Sequence, residues 1–329
     1  MTIPCTLRLT GICLVGLVGL GCRIDAHMVG ATGSFDRTLP VTGSVDLTVR
    51  TGSGRIQIHT GPDDRVHVLG SIRAHGDFWT GLGAEEQVEQ LETNPPIERS
   101  GNTIGIGDIR DPLLQGVTIT YDLTVPADTR VRSRSGSGSQ SIDGVRGPLE
   151  ARTGSGSIQI RHIGEHVSAS TGSGGIDVSG AGGGLEVRSG SGSIRGDSIS
   201  GSIHARVGSG RVELKQADAG GVEVTNGSGS ISVTGARGPV RLRTGSGPIN
   251  VEGNPSRDWI LTTGSGSIRV HMAAEARFDI DARTSSGNIQ TSHPIEVTGT
   301  ISRRRLEGKV RGGGSRLETF TGSGMTVID

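Results

Sequence analysis

Three residue patterns in this 329-residue chain could do chemistry. The first is His162-Ile-Gly-Glu165-His166, the H-x-x-E-H spacing with which a helix turns two imidazoles toward one zinc ion. Gly164 sits in its middle and β patterning surrounds it, so these side chains are not expected to converge. A solvent-facing turn is the expected reading, with no metal and no other cofactor. The second pattern is a serine between two glycines, at Ser155, Ser173, Ser191, Ser209, Ser228, Ser246 and Ser265. A nucleophile needs one hydroxyl with a positioned base, whereas a column of like hydroxyls is explained by hydrogen bonding at a repeated corner. No catalytic residue is expected in either pattern. Phosphate cradling is not expected either, because each Gly-rich turn leads into a strand pattern rather than a helix N-terminus.

The third pattern is a row of cations. Two residues before each Gly-Ser-Gly or its equivalent stand Arg50, Arg134, Arg152, Arg188, Arg206, Arg243 and Arg283, interrupted by Ser170, Thr225 and Thr262. Arg134, Arg152, Arg188, Arg206 and Arg243 are the candidate anion-binding residues. Like charges so aligned repel unless acids or an anionic ligand lie between them. Glu150, Glu186 and Glu223, two residues earlier, supply part of that compensation. The plainer alternative is a solvated charged face that keeps a sheet from aggregating.

What positions these residues is a repeat. The leading glycine of Gly-Ser-Gly falls at 136, 154, 172, 190, 208, 227, 245 and 264, a spacing of 18 or 19 residues each time. A fixed period of this size implies one small unit that buries its apolar face only by stacking on copies of itself. Five residues before the glycine stand Val131, Leu149, Val167, Leu185, Ile203, Val222, Val240 and Trp259, with charged residues alternating between them and the corner. After the corner the pattern resumes as Ile158/Ile160, Ile176/Val178, Val212/Leu214, Ile231/Val233, Ile249/Val251 and Ile268/Val270. Period-two alternation on both sides implies two half-buried strands per unit, with glycine supplying the positive φ of the corner.

The expected fold is all-β, a single parallel β-solenoid with coils of about 18 residues and an irregular N-terminal cap or insertion. The alternative is an antiparallel meander or sandwich in which Ser-Gly forms hairpin turns. The solenoid is preferred because so wide a meander exposes a whole apolar face with no helices to cover it. One Tyr, two Trp and four Phe leave the core to Ile, Val, Leu and Ala.

Residues 1–21 carry Arg8 and an apolar run from Leu9 to Leu20, the pattern of a secretory signal peptide. Cys22 follows it as in a bacterial lipoprotein leader, although Gly19 and Leu20 depart from that pattern. Cys22 is therefore the candidate lipidation site, with ordinary cleavage nearby as the alternative. Residues 22–43 read as a polar tether. Residues 44–125 hold one early copy of the unit around Gly52-Ser-Gly54, then irregular strands and a short helix over Ala84–Glu92. Residues 126–329 are the repeats, with Thr284 to Ile289 a degenerate copy and Thr321-Gly-Ser-Gly324 closing the chain. Equal numbers of basic and acidic residues, 33 each, argue against nucleic-acid binding.

The leader, Thr124-Val-Pro-Ala-Asp-Thr-Arg-Val131 running into the first regular repeat, the iterated Thr-Gly-Ser-Gly-Ser-Ile, and Gly312-Gly-Gly-Ser-Arg-Leu-Glu-Thr-Phe-Thr-Gly-Ser-Gly324 together resemble the bacterial putative-adhesin family of β-strand-repeat proteins, a domain of unknown function. The resemblance runs from about Ser44 to Asp329. It implies an envelope or surface protein with a β-helical fold and no assigned catalytic residues. The expectation is a non-enzymatic, exported scaffold in the outer membrane, periplasm or cell surface. Its partner would be an envelope or extracellular polysaccharide or a surface protein, with membrane contact only through a lipid anchor. A carbohydrate lyase or hydrolase is the enzymatic alternative, disfavoured by the scarcity of aromatic platforms and clustered acids. An envelope ligand sensor using residues 66–125, with Phe78, Trp79 and Tyr121, is the third reading.

Overall fold

The computed structural model describes residues 30–75, 83–108, 110–297 and 301–329. Within each regular unit, one strand leads into the Gly-Ser-Gly corner and another trails it, and the two belong to different sheets. Leu149–Thr153 and Ile158–Ile163 are one such pair. Leading strands assemble into a 15-stranded sheet and trailing strands into a 14-stranded sheet among the described residues, both predominantly parallel. Each strand pairs with its equivalent one unit away, so Leu149, Val167, Leu185 and Ile203 stand in register. All four are at most 2% exposed. The solenoid-like core between the sheets is thus lined by aliphatic ladders, each fully buried side chain contributing about 1.5–3 kcal/mol. Hairpin pairing across the regular corners, the meander alternative, does not occur among the described residues. Antiparallel pairing is confined to the two ends.

Aromatic residues enter the core only where their polar atoms are served or their rings packed. Trp259 occupies the ladder position of Val240 and is fully buried, its Nε1 donating to the Gly238 carbonyl at 3.0 Å.

The corner works differently from the sequence expectation. The serines between the glycines are exposed and carry no side-chain hydrogen bond to the corner. The residue before the leading glycine does that work instead. Gly138, Gly156, Gly174 and Gly192 each donate a backbone N–H to the hydroxyl of Ser135, Thr153, Thr171 and Ser189, at 2.8–3.1 Å. Three of those hydroxyls donate onward to the glycine carbonyl of the preceding unit, Thr153 to Gly138, Thr171 to Gly156 and Ser189 to Gly174. Positive φ is not what glycine supplies at these four corners, since none of the four glycines has it. Close stacking is the reason: a Cβ on Gly156 would lie 2.1 Å from the Gly138 carbonyl oxygen.

At Val207 the hydroxyl is missing, and the corner changes. The Gly210 N–H turns to the Ser228 carbonyl at 3.0 Å, and Gly210 takes φ 156°. The later corners follow, with Gly229, Gly247 and Gly266 at φ 130–152° bonded to Ser246, Ser265 and Ser323. The altered pairing thus runs through every later corner up to Gly266, while Gly192 on the other side keeps its bond to Ser189.

Both ends depart from the simple repeat. Residues 31–40, expected within a polar tether, form the strand Ala31–Pro40, antiparallel to Arg65–Ala74. Its only fully buried side chain is Phe35, so it has no period-two apolar signature, and its partner lies some thirty residues on. Helix Ala84–Thr93 packs over these strands through Ala84, Val88 and Leu91. At the other end, Ser315–Ser323 and Thr326–Ile328 do not close the stack in chain order. They lie between the unit Trp259–Ser265/Ile268–Met272 and the earlier-made unit Phe278–Ser286/Ile289–Thr291. Arg316 fixes this inserted strand, donating to Asp281 at 2.9 Å while its backbone N–H donates to Asp258 at 3.0 Å.

Candidate functional site

Alternation puts every second residue of a leading strand outside, and parallel register stacks those residues in rows about 4.8 Å apart. The arginine row forms as the spacing implies: Arg50, Arg134, Arg152, Ser170, Arg188, Arg206, Thr225, Arg243 and Thr262 are successive register partners. Phe320 and Arg283 continue it, because the inserted C-terminal strand occupies the next place.

The row is electrostatically uneven. Glu150 lies between Arg134 at 3.4 Å and Arg152 at 3.0 Å, and Glu186 pairs with Arg188. Arg283 holds Asp281 through two hydrogen bonds of 2.8 and 2.9 Å, which raise its guanidinium above the ordinary value. Glu223 was expected to compensate the row as well, but it faces His204 at 3.6 Å. Arg206 and Arg243, with Arg241 in the adjacent outward row, have no hydrogen bond or ion pair among the described residues. Of the five candidate cations, three are therefore engaged and two are free. The sequence placed all five on one face; it did not separate these classes, because pairing depends on which acid stands in the adjacent coil.

Beside the free cations runs a groove of about 330 Å³, lined by His204, Gly221, Glu223, Pro239, Arg241 and Ile260 among others. Sequence reasoning missed it. Its signal was the small or compact residues Ser202, Gly221 and Pro239 at one outward position of three successive units. A second groove, of about 510 Å³, lies near the N-terminal end between Asp46, Asn102, Asp128, Arg130, Arg146 and Glu165. There Asp128 pairs with Arg146 at 2.8 Å and raises its guanidinium, while Asp46 pairs with Arg132 at 2.8 Å.

The remaining candidates are placed as follows. His162 is the penultimate residue of the trailing strand Ile158–Ile163, at φ 52°, exposed, with Nδ1 2.9 Å from Asp143. No group of three metal-ligating side chains assembles there or elsewhere among the described residues. Tyr121 is buried edge-on against Phe35, ring centroids 6.4 Å apart, and burial raises its phenol above the ordinary value. Phe78, Trp79 and Cys22 lie outside the described residues. No helix among the described residues is long and apolar enough to cross a membrane.

A family model described as Toastrack DUF4097, a domain of unknown function, matches residues 165–328. The match begins well inside the repeats, later than the resemblance read from about Ser44. Two solved structures align along most of the chain. One is described as a putative cell adhesion protein from Clostridium sporogenes, at 11% identity and TM-score 0.22, covering 90% of this chain and 99% of that one. The other is described as a putative adhesin from Bacteroides fragilis, at 11% identity and TM-score 0.29, covering 90% and 97%. No curated protein matches the chain.

Proposed function

We propose that the chain is a non-enzymatic cell-envelope protein, a single β-solenoid whose rigid outward face serves adhesion or surface scaffolding. The observation that carries this reading is the outward row of the leading sheet, where parallel register sets charged side chains at a fixed step along a stiff wall. A rigid, pre-arranged row loses little conformational entropy on contact, which favours extended partners such as polysaccharides or surface proteins. The proposed organisation is a leader over 1–21, an N-terminal end piece that includes the strand Ala31–Pro40, and repeats from 126 onward. Export follows from the leader, and Cys22 is the proposed lipid site.

Passing the purified mature protein over immobilised anionic glycans at rising salt tests the binding reading. Retention at low salt that falls as salt screens the exposed charges is expected. Absence of retention on every anionic support at low salt overturns it. Separately, Cys22→Ser is expected to release the protein from membranes; undiminished membrane retention overturns the lipid assignment.

A further inference from the structure

Four adjacent leading strands, Ile203–Ser209, Val222–Ser228, Val240–Ser246 and Trp259–Ser265, present an ordered grid to solvent. One row reads His204, Glu223, Arg241, Ile260, and the next Arg206, Thr225, Arg243, Thr262. The groove of about 330 Å³ opens along the first row because Gly221, beside it, has no side chain. Elsewhere on this face Glu150 and Glu186 neutralise their arginines, whereas here three guanidiniums are free.

We propose that this grid binds a linear carboxylated polysaccharide running along the stack, with successive carboxylates seated on Arg206 and Arg243. The inference rests on the surface-binding reading above and adds a place and a ligand class to it. Guanidinium groups receive carboxylates through paired, charge-assisted hydrogen bonds. Arg206 and Arg243 are two strands apart, about 10 Å, farther than one carboxylate spans. That separation suits a linear polyuronate presenting carboxylates to one side at every second sugar better than a compact anion, which calls for converging donors. Between the two cations, the Thr225 hydroxyl and the Glu223 carboxylate meet sugar hydroxyls. Pro239 and Ile260 offer apolar contact to the C–H face of a ring beside Arg241. A bilayer fits less well, since of the exposed large hydrophobic residues only Phe320 adjoins this grid, next to Thr262, whereas Leu69, Val297, Ile301 and Met325 lie elsewhere.

The experiment compares wild-type mature protein with two triple variants on immobilised polygalacturonate, on neutral dextran, and with phosphatidylglycerol vesicles. The expected result is retention of wild type on polygalacturonate alone. Arg206→Gln/Arg241→Gln/Arg243→Gln is expected to weaken it about tenfold or more and flatten its salt dependence, from the loss of several charge-assisted contacts. Arg134→Gln/Arg152→Gln/Arg188→Gln is expected to change it about twofold at most, since two of those three cations share one acid and the third has its own. Equal losses in both variants, or a larger loss in the second, overturn this site while leaving surface binding intact. Vesicle binding without polygalacturonate retention overturns the ligand class. No retention of wild type on any support removes the surface reading and this site with it. Arg206→Lys/Arg243→Lys, which keeps the charge, serves as a folded control and is expected to fall between wild type and the glutamine variant.

Discussion

The hydroxyl of Thr153 accepts the backbone N–H of Gly156 at 3.1 Å and donates to the Gly138 carbonyl of the preceding unit at 3.2 Å. One buried side chain thereby closes its own corner and ties two units together. Thr171 and Ser189 repeat the arrangement, so the corner column is a polar ladder alongside the aliphatic ones.

Thr153→Val keeps the shape of the side chain and removes the hydroxyl. A buried N–H and a carbonyl then lose their partner, a cost of about 1–3 kcal/mol. Urea unfolding is expected to show a lowered midpoint with an unchanged slope. A midpoint equal to wild type would mean that the corner has adopted the pairing seen at Val207, in which the glycine N–H uses the next unit's carbonyl.

Gly156→Ala tests steric stacking. The new methyl would sit 2.1 Å from a backbone oxygen that cannot move without separating two coils. A loss of about 2–3 kcal/mol is expected. Gly43→Ala is the contrasting control: its Cβ meets nothing, so any cost there comes from its φ of 79° alone. Similar losses at Gly43 and Gly156 would remove the stacking argument.

Val187→Asp places a carboxylate in a fully buried ladder position beside Ala169 and Ala205. With no partner for the charge, stability is expected to drop by more than about 4 kcal/mol. Wild-type solubility and thermal midpoint in this variant would show that position to be open to water.

Tyr121 is the chain's only tyrosine, so its phenolate can be followed without interference from another. Its pKa is raised in the folded protein by burial, against about 10 in the unfolded chain. The neutral phenol therefore contributes its full stability below pH ~10, and that contribution is lost as pH rises beyond it. Phenolate absorbance is expected to appear together with loss of β-sheet circular dichroism. Ionisation near pH 10 in a chain that remains folded would contradict the buried placement.

The period, the strand pairs and the interior residues were legible in sequence because each is a local pattern repeated many times. Leu149, Val167, Leu185 and Ile203 announce their ladder by spacing alone. The outward arginines were legible for the same reason. What escaped was set by contacts between distant segments. Phe35 lies alone in its strand and reads as tether until Arg65–Ala74 is beside it. Thr153 and Ser155 are both small hydroxyl residues at a corner, and only the three-dimensional turn shows which of them points inward. The freedom of Arg206 and Arg243 depends on Glu223 turning to His204, a choice no spacing encodes.

The insertion of Ser315–Ile328 between two units made before it separates the order of synthesis from the order of stacking. From Thr129 as far as Met272, a chain emerging from a ribosome or an export channel can lay each new coil on the one before it. The next coil must then wait with a gap beneath it until Ser315–Ile328 arrives, like an arch before its keystone. Gene duplication meets the same asymmetry. Adding an 18-residue copy between Gly136 and Gly264 lengthens the stack by one coil, whereas doubling Ser315–Ile328 leaves the second copy with no vacant place between the two units it joins. Lineages that vary the length of such a protein would therefore vary the regular repeats and keep Ser315–Ile328 fixed.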